Sequence, residues 1–364
     1  MSLNILFINS INIYGGGEVW MINTGKELIK RNHNLMIACR PGSQLKDHAL
    51  KNNIKVLTQK IGGDINPFTI IRLVRIIYKN KIDIILTNTD KELRLCGIAS
   101  KISGRAKVIA RHGIDYPLKN KLRYRITYNK LADLIISNSL ATKKTLLKNA
   151  PWLNSDRIKV IYNGINPDLY NPERTKNLRK ELNIPDKNPL IGFVGRLSVQ
   201  KGIKYLLDAF LKVRDKLNAH LLIAGTGEIE QDIKDFILNN KLSGSVHLLG
   251  FREDVNNIMR TIDLLVLPSI WEGFGIVLIE AMASGKPCIT TQISSMPEIV
   301  KDSVSGIIVP PKDSDSLARA CLSILSDNKL AVQMGIEGRR IVNERFTLSS
   351  MADKYEEVFL SLLN

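Results

Sequence analysis

The sequence predicts an α/β protein made of two doubly wound domains, and three observations carry this. Short β-branched apolar runs alternate with helical segments along the chain, the grammar of parallel strands joined by crossover helices. That grammar restarts at PLIGFVGR, after an Asn- and Pro-rich stretch with no apolar period. Finally, 364 residues are too many for one ordinary core but suit two domains of common size.

Taken in order, NILFINS reads as a first strand, followed by a glycine loop and the helical EVWMINTGKELIKRN. NLMIACR, a helical stretch around residues 69–80, DIILTN, VIARHG, LIISNS and IKVIYNG complete the first half. NGINPDLYNPERTKNLRKELNIPDKNP then reads as a linker. The second half runs through PLIGFVGR, AHLLIAGTG, VHLLG, DLLVLPS, PCITT and GIIVP, with helices between them. The expected boundaries are 1–165 and 166–345, with a final amphipathic helix over 346–364. Its apolar side would hold Met351, Tyr355, Val358, Phe359 and Leu362. Two such domains facing each other would set the strands' carboxyl ends around a central cleft, where wound sheets bind ligands.

Composition narrows the class. An apolar content of 44% with 24% charged residues describes a globular chain, and no apolar run approaches the roughly 18–20 residues that cross a bilayer. MSLNILFINS lacks a basic n-region and a cleavage site, so a signal peptide is not expected. Cys39, Cys96, Cys288 and Cys321 are far apart with no C-x-x-C pair, which reads as buried reduced thiols and no metal site. The net charge of +17 is uneven: residues 1–165 hold 28 Lys+Arg against 10 Asp+Glu, and residues 166–364 hold 24 against 25. The first half should therefore face something acidic, with a merely solvated basic surface as the competing explanation.

The densest chemistry lies in WEGFGIVLIEAMASGKP. After the strand DLLVLPS, a helix should start near Gly275, offering unpaired N–H groups and partial positive charge to a phosphate. Glu272 before it and Glu280 inside it would repel a bare diphosphate. They fit a ligand with hydroxyls on both sides of its phosphates, since a carboxylate accepts from a vicinal diol. A nucleotide sugar has that layout. The duller alternative is a helix-start charge plus a surface residue. GFVGRLSVQKG adds Gly195, Arg196 and Lys201 after another strand, two cations suited to a diphosphate leaving group. Gly15, Gly16 and Gly17 in the first βα turn expose amides that can touch phosphate or sugar, or simply make a tight turn. His112 follows a first-half strand and would point toward the cleft. Asp313-Ser314-Asp315 mimics a D-x-D metal clamp but precedes a helix, so it reads as an N-cap.

These pieces, YGGGEVW, VIYNGIN, FVGRLSVQKG, LLIAGTGE, LLVLPSIWEGFGIVLIEAMASGKP and MPEIVKDSVSGIIVPPKD, resemble the retaining glycosyltransferases of family 4, of GT-B fold, over nearly the whole chain. The resemblance implies that Arg196 and Lys201 hold the donor diphosphate, that Glu272 meets the donor sugar and that Glu280 meets the ribose. Amides of Phe274, Gly275, Ile276 and Val277 would line the sugar–phosphate site. Gly16 and Gly17 would close over the donor, and His112 would lie near its hexose. The last helix would cross back onto the first domain. Two departures stand out: Gly113 replaces a frequent acidic residue after the histidine, and Ser294, Ser295 and Met296 replace a common Gly-Gly stretch before Pro-Glu.

The expected reaction moves a hexosyl-type sugar from a nucleoside diphosphate sugar, UDP favoured over GDP, to a hydroxyl of a cell-envelope glycan or lipid-linked acceptor. The resemblance implies retention with neither metal nor cofactor. A nucleotide-sugar epimerase and a non-catalytic nucleotide-sugar binder are the rivals. Arg72, Arg75 and Lys79 at helical spacing, and Lys119, Lys121, Arg123, Arg125 and Lys130 interleaved with Tyr116, Tyr124 and Tyr128, point to an anionic membrane surface. A cytoplasmic protein able to lie on the membrane's inner face is expected. No nucleic acid is expected, because no helix-turn-helix, RRM or zinc pattern occurs.

Overall fold

The computed structural model describes residues 2–12, 15–172 and 178–363. The chain divides into two compact units, residues 1–164 with 348–364, and residues 165–347.

The first unit holds seven parallel strands: β1 Asn4–Asn9, β2 Asn34–Cys39, β3 Lys55–Thr58, β4 Ile84–Thr87, β5 Lys107–His112, β6 Leu134–Ser137 and β7 Ile158–Val160. Their order is β3-β2-β1-β4-β5-β6-β7. Successive side chains in a strand point to opposite faces, and both faces here are covered, which is why these strands read as unbroken apolar runs. In β1, Leu6 and Ile8 enter one core while Ile5 and Phe7 enter the other. The second core is closed by Met351, Tyr355 and Phe359 of the helix Leu348–Leu363, so the terminal helix belongs to this unit. Strand order reverses between β1 and β4. The buried carboxylate of Glu92 ties the two loops there together, accepting from the Ser10 N–H at 2.6 Å, Asn88 N–H at 2.9 Å and Thr89 N–H at 3.1 Å.

The second unit holds six parallel strands: β8 Leu190–Val194, β9 His220–Ala224, β10 Val246–Gly250, β11 Leu264–Leu267, β12 Cys288–Thr291 and β13 Gly306–Val309, ordered β10-β9-β8-β11-β12-β13. The reversal falls between β8 and β11. The loops leaving those two strands carry Arg196 and Lys201 on one side and Glu272 on the other. A reversal opens a crevice at the carboxyl ends, because the two following helices leave on opposite faces.

Two expectations change. The stretch read as a linker folds into the second unit, with Tyr170, Leu178 and Ile184 buried, although Glu173–Asn177 lie outside the described residues. Its missing apolar period reflects a short turn, Pro167–Tyr170, and irregular chain instead of a tether. Tyr128 does not join the basic surface: it is buried and its hydroxyl donates to Asp90 Oδ1 at 2.6 Å. The exposed large hydrophobic side chains of that segment are Tyr116, Leu122 and Ile126. Asp313 caps the helix Ser314–Leu325, its carboxylate accepting from the Ser316 N–H at 2.9 Å, and Asp315 pairs with Lys212.

Candidate active site

The loops leaving β8 and β11 are joined backbone to backbone, the Ile270 N–H donating to the Gln200 carbonyl at 2.8 Å. This brings Lys201 against Glu272 across 71 residues of sequence, and the ammonium is ion-paired with Glu272 Oε2. Both side chains are largely buried, at 16% and 10% exposure. Glu272 also accepts from the Ser269 hydroxyl at 3.3 Å and from the Gly273 N–H at 3.0 Å. A carboxylate fixed by three donors keeps a set orientation, and the lysine beside it offers its remaining N–H groups to an anion. Arg196 departs from the expectation of two fixed cations. Its side chain is 74% exposed and pairs with Glu228 at 3.2 Å. Arg196 is thus an exposed, surface-paired cation beside a largely buried one.

Gly275 takes φ +82 and caps the eight-residue helix Ile276–Ala283. The left-handed φ favours glycine, and a Cβ there, 2.7 Å from Met296 Cε, would also make that side chain shift. The first-turn N–H groups of Ile276 and Val277 have no intrahelical acceptor. Phe274 is buried edge-on to Phe346, and its carbonyl is taken by the Ser295 hydroxyl at 3.1 Å. Ser294 keeps φ +45, a left-handed conformation that serines seldom adopt. Its hydroxyl is buried with no partner among the described residues. The Ser-Ser-Met variant thus holds a glycine-like turn and adds a hydroxyl.

Glu280 projects from the second turn of this helix and is half-buried. Its Oε1 accepts from the Tyr170 hydroxyl at 2.7 Å, a bond spanning 110 residues. Burial pushes the Glu280 carboxyl above the ordinary glutamate range, and the Tyr170 bond draws it back down. Tyr170 went unnoticed in the sequence because it sits in the apparent linker.

In the first unit, Gly15 caps the helix Gly16–Lys30, and the positions a Cβ would take at Gly16 and Gly17 meet nothing within 4 Å. Their backbone stands open. Glu18, which sequence reasoning also passed over, is buried and accepts from Asn9 Nδ2 at 2.7 Å and the Gly15 N–H at 2.9 Å, fixing the turn. Tyr14 lies outside the described residues. His112 ends β5 with Nε2 3.0 Å from the Tyr116 carbonyl. A carbonyl only accepts, so Nε2 carries the proton and Nδ1 is left as an acceptor. Burial lowers the imidazole's pKa, which keeps it neutral near pH 7.

Next to it, Arg111 is buried with its guanidinium 3.9 Å above the Trp20 ring and donates to Asn163 Oδ1 at 3.0 Å. A Cβ on Gly113 would lie 2.4 Å from Arg111 Nη1. Gly113 thus sits directly against this cation, and a larger residue there would push the guanidinium from its present place. A buried strand position occupied by Arg in VIARHG was the available signal.

Two family models match in succession, "Glycosyltransferase Family 4" over residues 14–169 and "Glycosyl transferases group 1" over residues 174–341. An uncharacterized glycosyltransferase of Methanocaldococcus jannaschii is 34% identical over 244 residues, 65% of this chain and 62% of that one. The UDP-Gal:alpha-D-GlcNAc-diphosphoundecaprenol alpha-1,3-galactosyltransferase of Escherichia coli is 27% identical over 310 residues, 81% of this chain and 79% of that one. The crystal structure of Anabaena HepE in complex with UDP superposes with a TM-score of 0.87 at 25% identity, covering 99% of this chain and 100% of that one. With two Rossmann-like sheets, a Lys–Glu pair at the reversal of the second and matches running nearly end to end, this chain belongs to the family 4, group 1 glycosyltransferases of GT-B fold.

Proposed function

We propose that the chain transfers a hexosyl-type residue from a UDP-sugar to a hydroxyl of a cell-envelope glycan or lipid-linked acceptor, retaining anomeric configuration without a metal. The observation that carries this is the fixed Lys201–Glu272 pair with Glu280 eight residues on, beside the open helix start at Ile276. In this reading Lys201 and the exposed Arg196 neutralise the donor diphosphate, Glu272 accepts from the sugar hydroxyls and Glu280 from the ribose. As the glycosidic bond breaks, charge gathers on the departing phosphate, where Lys201 stabilises it. That phosphate takes the acceptor proton on the face it leaves, which gives retention. Anabaena HepE, solved with UDP-glucose as well as UDP, supports the choice of donor. The use of Asp313 as a helix cap supports the metal-free part. Purified protein should release UDP from a UDP-hexose in the presence of EDTA, and NMR of the product should show the donor's anomeric configuration. Inversion would refute the mechanism, and absence of both hydrolysis and transfer across UDP-hexoses would leave a binder.

Tyr170 acts as a positioning residue for Glu280. Tyr170→Phe removes a bond to a charged acceptor, and should weaken UDP-glucose binding by roughly tenfold, on the order of 1.5 kcal/mol. It should also move the pH profile. Without the tyrosine donor the Glu280 carboxylate is less favoured, so its pKa rises further and affinity starts falling at a higher pH as the solution is acidified. Calorimetric titration of wild type, Tyr170→Phe and Glu280→Gln over a pH series checks this. Glu280→Gln should lack this acid limb.

The acceptor in this reading docks on the first unit, which carries the positive surplus. Among the described residues no helix is long and apolar enough to cross a membrane. Phe68 and Leu122, 69% and 70% exposed, stand among exposed basic residues of the segments 67–79 and 119–130. That combination suits contact with anionic lipid. Phe68→Ser/Leu122→Ser should reduce sedimentation with anionic liposomes about tenfold, roughly 1.4 kcal/mol for two apolar side chains entering the interface. Equal binding by the double variant would remove these residues from the contact.

A further inference from the structure

At the carboxyl ends of β2 and β3 the first unit forms an open pocket of about 500 Å³ lined by Arg40, Lys60, Arg72, Asn66, Thr69 and Phe68. Three cations reach it from three separate segments: Arg40 follows β2, Lys60 lies just past β3, and Arg72 sits in the helix Pro67–Lys79. Among the described residues none of the three pairs with a carboxylate. The one acid of the segment between Lys60 and Arg72, Asp64, is committed elsewhere, accepting from Arg94 at 2.6 Å and pairing with Arg123. Arg40 Nη2 donates to the Ile61 carbonyl at 3.3 Å, while its Nε is buried with no partner among the described residues. Arg72 Nη1 reaches the Lys60 carbonyl at 3.5 Å.

The cavity wall is built, not draped. Asn66 Oδ1 accepts from the Thr69 N–H at 2.9 Å and from the Thr69 hydroxyl at 3.0 Å, and that hydroxyl accepts from the Gly62 N–H at 3.1 Å. A Cβ on Gly62 would lie 2.8 Å from Asn66 Cγ, so the turn closes only with glycine there. The thirteen-residue helix that Asn66 caps points its positive end at the same place. Three cations without a carboxylate partner and a helix start around one pocket match an anionic group.

We propose that this cavity holds an anionic group of the acceptor, a phosphate or a carboxylate. The proposal rests on the reading above that the acceptor docks on the first unit. It also sets a length. β2 and β5 are separated by three strand steps, so the cavity lies roughly 14 Å along the sheet from His112. The acid then sits more than one sugar ring from a hydroxyl reacting near His112.

The probes are inorganic phosphate and glucuronate, titrated separately into the full chain preloaded with saturating UDP so that cations of the donor site are occupied. At least one probe should bind the wild type, about tenfold weaker in Arg40→Gln/Lys60→Gln and about fivefold weaker in Lys60→Gln or Arg72→Gln alone. Lys60 and Arg72 are exposed, so those single variants report even where the Arg40 change disturbs folding. Arg40→Lys should retain part of the affinity. Phosphate binding alone supports a phosphorylated acceptor, and glucuronate binding alone an acidic sugar. Binding of neither, or binding within twofold of wild type in every variant, overturns the proposal. So does a loss confined to sedimentation with anionic vesicles. UDP binding is read in the same experiment: its failure counts against the donor assignment, while a phosphate response lost in the Lys60 and Arg72 variants still stands.

Discussion

Lys201→Ala is expected to lower kcat by about 10²–10³-fold, the usual effect of removing one preorganised group that stabilises charge in a transition state. The expected change in KM for the donor is smaller, because the charge on the leaving phosphate grows as the bond breaks. Lys201 is also the ion-pair partner of Glu272, and both are largely buried. Its loss leaves a carboxylate held only by the Ser269 hydroxyl and the Gly273 N–H. Breaking one side of a buried pair is destabilising, here by roughly 1–3 kcal/mol after allowing for residual exposure. A loss of turnover through unfolding must therefore be separated from a loss of chemistry. Lys201→Ala/Glu272→Ala does this, since it removes the stranded charge. The double variant should regain melting temperature relative to Lys201→Ala yet remain at least as inactive. Recovery of activity along with stability would mean that the pair is structural and that the donor site lies elsewhere.

The same pair shows what a sequence can and cannot disclose. Lys201 and Glu272 were each legible as candidates, because each follows a strand whose apolar run and glycines are visible locally. Their contact was not legible, since it depends on β8 and β11 being neighbours across the reversal of the sheet. The helix start at Ile276 and the cap at Asp313 are local features and were readable. Tyr170 was not: a short turn with one buried aromatic has no period, and its partner Glu280 lies 110 residues away. Tyr128 misled for the opposite reason. It alternates with basic residues in the sequence, but its hydroxyl finds Asp90 in the interior. The Arg40 pocket was hidden because its three cations come from separate segments, Arg40 and Lys60 looking like ordinary loop chain and Arg72 reading only as part of a basic helix face. Strand order alone brings them together.

Gly202→Ala should destabilise the second unit by roughly 3 kcal/mol and abolish most turnover, although no charged group changes. Gly202 has φ +67, and a Cβ on it would lie 2.1 Å from the Pro268 carbonyl oxygen, a backbone atom in the loop that leads to Glu272. The wall cannot turn aside as a side chain would. Relief requires the loops leaving β8 and β11 to separate, and these loops set Lys201 against Glu272. For a unit of this size the expected fall in melting temperature is about 6–12 °C. Two penalties are combined here, one from the left-handed backbone and one from the contact, and asparagine separates them. Asparagine tolerates left-handed φ but still carries a Cβ. At Gly104, which has φ +62 with nothing within 4 Å, only the first penalty applies: Gly104→Ala should cost about 1 kcal/mol, and Gly104→Asn less. At Gly202 the contact dominates, so Gly202→Asn should be no better than Gly202→Ala in melting temperature or turnover. Rescue by asparagine at Gly202 would show that the strand-end loops tolerate separation, and that the close approach of Lys201 to Glu272 is not maintained by this glycine.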